Sequence, residues 1–159
     1  MTPDIGLSLR ARTFGETNPH KLMLTFSSLP WLGVFLAFAV YFVLGGLWFT
    51  LLFKRPYAYS LGKTPEALQN NAPIFIAGPA VCSLIITLTT AVLMQALDIA
   101  TYGQALVFAV LVGLGYLVAN TVNIAINPNM PRPLLYGFIS GAFHLTGIIL
   151  VALILVTLS

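Results

Sequence analysis

The chain reads as an all-α polytopic membrane protein, an up-down bundle of four transmembrane helices, and three observations predict that class. Residues 30–53, 73–97, 102–126 and 133–158 contain no Asp, Glu, Lys or Arg, run 24 to 26 residues each, and together make up 100 of 159 residues. A helix rises about 1.5 Å per residue and a bilayer's hydrocarbon layer is about 30 Å thick, so each stretch crosses once with modest tilt. Composition agrees: 58% of residues are hydrophobic, 7% are charged, and the mean hydropathy is +0.95. Finally, the connectors are too short to hold a soluble domain, with 19 residues between the first two spans, then 4 and 6.

Taken in order, residues 1–29 form a polar N-terminal extension, and residues 30–159 a four-helix transmembrane domain. The extension is too polar for a signal-peptide core. Ala37-Phe38-Ala39 matches a small-x-small cleavage site, but it lies inside a 24-residue apolar run, so the first span is read as uncleaved. Trp31 and Trp48, near opposite ends of that span, read as interfacial anchors. In the first loop, Thr64-Pro65-Glu66 reads as an N-cap with Pro at the first helical position, predicting a short amphipathic turn on the membrane surface. Pro30, Pro73 and Pro133 open helices at positions where a missing N–H costs nothing. Pro79 lies inside the second span and predicts a kink that frees the Phe75 carbonyl.

Four spans put both termini on one side. Lys54, Arg55, Lys63 and Arg132 then face Arg10, Arg12 and Lys21 across the bilayer, and Lys54 and Arg55 abut the membrane. The positive-inside rule therefore favours cytoplasmic loops at 54–72 and 127–132, with the termini outside. The net charge of +3 reads as this topology signal and as lipid headgroup contact, with no nucleic-acid partner. Cys82, the only cysteine, excludes an intrachain disulfide.

The main polar pattern lies in the last two spans. Tyr116, Asn120, Asn123 and Asn127 recur at spacings of four, three and four, while Tyr136, Ser140 and His144 recur every four. The short connector makes these helices antiparallel neighbours. A regular hairpin then sets Tyr116 against His144, Asn120 against Ser140, Asn123 against Tyr136, and Asn127 beside Arg132. An amide left alone in hydrocarbon costs several kcal/mol, so the alignment predicts either interhelical glue or a polar path for a ligand, ion or proton. Glue is favoured, because His144 is the only member that titrates near neutral pH. Gly137 with Gly141, Ala109 with Gly113, Gly33 with Ala37, and Gly45-Gly46 read as close-packing positions.

Sites for chemistry are sparse. His20, the only other histidine, lies in the tail, so a bis-histidine haem within one chain is excluded. Glu66 and Asp98 sit at span edges. Gly113-Leu114-Gly115 lacks the strand-turn-helix context of a dinucleotide fingerprint, and no phosphate loop, zinc spacing or nucleophile elbow occurs. The chain is therefore read as non-catalytic, with no catalytic or metal residues and no cofactor.

Gly45-Gly46-Leu47-Trp48-Phe49, Leu52-Phe53-Lys54 and Leu61-Gly62-Lys63-Thr64-Pro65-Glu66, followed by Asn123, Arg132-Pro133 and Phe143-His144, resemble the conserved blocks of a family of small bacterial membrane proteins known as domain of unknown function 1761. The resemblance covers roughly residues 31 to 158. This chain departs from it at Phe49, where the family usually has tyrosine, and at Pro56-Tyr57, where it carries a second tryptophan. The 29-residue extension is also unusual. The resemblance implies a four-helix domain in the bacterial cytoplasmic membrane and assigns no activity. Two functions fit these features. One is an accessory subunit packing against a larger assembly of other integral membrane proteins, with the extension as an arm. The other is a small transporter, channel or lipid-binding protein with a path between helices three and four.

Overall fold

The computed structural model describes residues 28–68 and 72–159, so the N-terminal extension lies outside the described residues except for Ser28 and Leu29. Every regular element among them is helical. The first span runs from Trp31 to Leu52 as α1 (Trp31–Leu47) followed by a π-helical turn (Trp48–Leu52). A short α2 (Lys54–Ser60) follows, and the second span is α3 (Ile74–Ala96). The third span, Tyr102–Ala125, comprises α4 (Tyr102–Val112), a π-helical segment (Gly113–Val118) and α5 (Ala119–Ala125). The fourth span is α6 (Pro133–Thr157). All four are long and apolar enough to cross a membrane.

Local chemistry ends these helices. Pro133 occupies the first turn of α6, and Thr101 caps α4 in a reciprocal box, its hydroxyl accepting from Gln104 N–H while the Gln104 side chain returns to the Thr101 N–H. Asp98 takes a left-handed conformation (φ 53°) just past α3, and Ile99 N–H reaches back to the Met94 carbonyl. Gly62 (φ 67°) does the same for α2, with Lys63 N–H donating to Ala58 O. A Cβ at Gly62 would come within 3.1 Å of Pro131, so this glycine serves both the turn and the close approach of the two loops.

The short turn expected at Thr64 is a 3-10 turn (Glu66–Leu68), held by Ala67 N–H on Thr64. The second span is one helix across Pro79, whose missing N–H takes the donor from the Phe75 carbonyl. The first and third spans carry π turns, which apolar periodicity does not mark.

The bundle is built around its last helix. Half of the fourth span's apolar window is buried, against 22% for each of the others. It packs on all three other spans, whereas the third packs almost wholly on the fourth. Small residues set these approaches at the positions expected from the sequence, except Gly46, which is exposed and meets no neighbour among the described residues. Gly45 meets Phe143, Gly33 meets Leu158, Gly137 meets Val122, Gly141 meets Val118, and Gly113 meets Leu145 and Ile148. The remaining faces carry large exposed apolar side chains suited to lipid, among them Phe35, Val43, Phe75, Ile85 and Leu111.

Candidate functional site

The third and fourth spans lie antiparallel at the depth register expected from their short turn, but the face presented is different. Upstream, Ala105, Ala109 and Gly113 are buried. A regular α-helix continuing from Gly113 would present 116, 120, 123 and 127. The π segment adds a residue to that turn, rotating everything beyond it by about 100°. The positions meeting the fourth span become Val118, Val122 and Ala125.

The consequence is a correction to the polar ladder. Tyr116 is 75% exposed and does not reach His144. Asn120 and Asn123 are exposed too, and among the described residues neither has a hydrogen-bond partner. Ser140 faces the interior, yet its buried Oγ has no partner among the described residues. Asn127 Nδ2 donates to the Ile124 carbonyl and its Oδ1 accepts from Asn129 N–H, so it shapes the turn and leaves Arg132 alone. The seam between helices three and four is glycine on valine, and Tyr116, Asn120 and Asn123, expected in it, lie on the outer surface of the third span.

The polar contact at mid-membrane is one the sequence reading missed. Tyr41 Oη and His144 Nδ1 are 2.8 Å apart, and Tyr41 is fully buried. Tyr41 is residue 11 of the 22-residue first span and His144 residue 12 of the 25-residue fourth, so both lie near the middle of their spans. A lone phenol and a lone imidazole at matched depth were the available signal, since each needs a partner there. Gly147 leaves room for the Tyr41 ring. Phe143 packs on Tyr41 (5.3 Å between centroids), Phe49 (5.2 Å) and His144 (4.9 Å). Trp48, seven residues after Tyr41 and so on the same face of the first span, turns inward, where Nε1 donates to the Ile139 carbonyl at 3.1 Å and the ring stacks on Phe53 at 4.6 Å. Trp48 is thus a packing residue with its N–H consumed inside the bundle, while Trp31, 55% exposed, keeps the geometry of an anchor.

At the loop end, Arg132 Nη1 donates to the Tyr59 carbonyl at 2.6 Å and its guanidinium lies 3.5 Å over the Tyr59 ring. This clamp places α2 and the turn at 126–132 at the same end, with Lys54, Arg55 and Lys63 on the same loop. Tyr136 pairs with Tyr57, rings 5.7 Å apart. Burial first, and then neighbouring Tyr136, push the Tyr57 phenol up to about 12. Glu66 is held below the usual carboxylate range by its own backbone N–H and by Thr64.

At the opposite end a cavity of about 350 Å³ lies between α3 and the end of α6, bordered by Ser28, Met94, Gln95, Asp98 and Leu155. Gln95 Nε2 donates to Ser28 Oγ at 2.6 Å, and its buried Oε1 has no partner among the described residues. Among the described residues no three His, Cys, Asp or Glu side chains gather as metal ligands would.

A family model described as a protein of unknown function (DUF1761) matches residues 32–156. The chain belongs to that family. No curated protein matches it, and no solved structure does.

Proposed function

We propose that this member of the family is a non-catalytic integral membrane subunit that packs against other membrane chains through the outer face of its third span. One observation carries the reading. Asn120 and Asn123 lie exposed on a membrane-spanning helix with no partner among the described residues, and Asn120 sits about 8 Å inside the helix end at 1.5 Å per residue. Lipid chains supply no hydrogen bond, so an amide there is stabilised when another protein covers it. The glycine–valine seam between helices three and four supports the same reading over a polar path at that seam.

In this proposal the protein sits in the bacterial cytoplasmic membrane. The clamped loops carrying Lys54, Arg55, Lys63 and Arg132 face the cytoplasm and both termini lie outside. Residues 1–29 extend the contact as an arm. A photo-reactive residue at Asn123, compared with one at Phe35, tests the reading in cell membranes. Protein adducts should form at Asn123 and be absent at Phe35, and deleting residues 1–29 should weaken co-purification of the same partner. Absence of adducts, together with solute flux in liposomes that depends on Asn120 or His144, would overturn the proposal in favour of transport.

A further inference from the structure

We infer that the partner covering the third span is a second copy of the chain, so that the outer stripe of Gly115, Tyr116, Ala119, Asn120 and Asn123 is a homodimer surface. This rests on the reading of that stripe as an interaction face and names its occupant.

The chemistry of the stripe fits itself. With every copy inserted in the orientation proposed above, a two-fold axis along the membrane normal sets every residue at the depth of its own mate. Asn120 then meets Asn120, and Asn123 meets Asn123. A carboxamide carries two donors and an acceptor, so amide pairs at equal depth satisfy one another without a complementary sequence on a different protein. A stripe of like charges would not be matched in this way.

The backbone allows the approach. Gly115 and Ala119 are exposed one turn apart beside the asparagines, and a Cβ at Gly115 would meet nothing within 4 Å. Two third spans can therefore come close enough for short amides to touch. The π segment is what creates this surface, because without its extra residue Tyr116, Asn120 and Asn123 would turn towards the fourth span. The outer faces of the first and second spans, with Phe35, Val43, Phe75 and Ile85 exposed, carry side chains that lipid accommodates without a partner.

The test uses the full chain in cell membranes, with Cys82→Ala removing the native thiol and single cysteines at Ala119 or, as controls, at Phe35 or Ile85. Oxidation should give a species of twice 17.1 kDa for A119C and none for the controls. Single-molecule counting in lipid vesicles should show Asn120→Leu weakening dimerisation about tenfold while Asn120→Gln retains it. Because Asn120 is exposed, either variant should keep the fold, which helicity in detergent checks. An A119C adduct of a different mass overturns the homodimer but leaves the interaction face standing. No adduct at Ala119, with quenching by lipid-borne nitroxide as strong there as at Phe35, overturns both.

Discussion

Replacing Gly147 by alanine tests the packing at mid-membrane. A Cβ at that position would overlap the Tyr41 ring, coming 2.9 Å from Cζ and closer still to Cε2 and Cδ2. The ring has nowhere to go, because Tyr41 is fully buried, packed on Phe143 and held by the 2.8 Å bond to His144. Overpacking a tight core costs about 1–3 kcal/mol. Displacing the ring also breaks a bond worth on the order of 1 kcal/mol in a membrane, so Gly147→Ala should destabilise the bundle by about 2–4 kcal/mol. Gly46→Ala is the matched control, since nothing lies within 4 Å of a Cβ there, and it should change stability by less than about 0.5 kcal/mol. Reversible unfolding in mixed micelles measures both. A second variant, Tyr41→Leu, removes the ring, and the cost of Gly147→Ala in that background should fall by at least half. If Gly147→Ala is as mild as Gly46→Ala, or if the two substitutions simply add, the packing of Tyr41 against Gly147 is wrong.

Tyr41→Phe keeps the ring and deletes only the hydroxyl, so it should cost about 0.6–1.7 kcal/mol in the same unfolding assay, and a neutral result would mean that the Tyr41–His144 bond contributes nothing. Ser140→Ala should be neutral or stabilising by up to about 1 kcal/mol, because the buried Oγ has no partner to lose among the described residues; a loss above about 1 kcal/mol would refute this. The raised Tyr57 pKa makes folding favour the protonated phenol, so its contribution is complete below the unfolded value near 10 and is lost as pH rises through about 12. The difference in stability between the parent and Tyr57→Phe should therefore shrink on alkaline titration across that window, and a pH-independent difference would refute the assignment.

The class of the protein was legible in the sequence because hydrocarbon imposes one requirement, an internally hydrogen-bonded apolar segment about 20 residues long, and composition alone satisfies it four times. The glycine contacts were legible for a related reason. Where helices must approach closely, Gly113, Gly137 and Gly141 leave a mark independent of helix rotation. The depth register between the last two spans also followed from the length of their turn. Which face each helix presents did not follow, because a single inserted residue in a π turn rotates everything beyond it by about 100° while leaving hydropathy unchanged. That rotation took Tyr116, Asn120 and Asn123 from the expected seam to the outer surface. The pairing of Tyr41 with His144 was likewise a tertiary matter: the two residues are 103 positions apart, and only the packing of the first span on the fourth brings them within bonding distance.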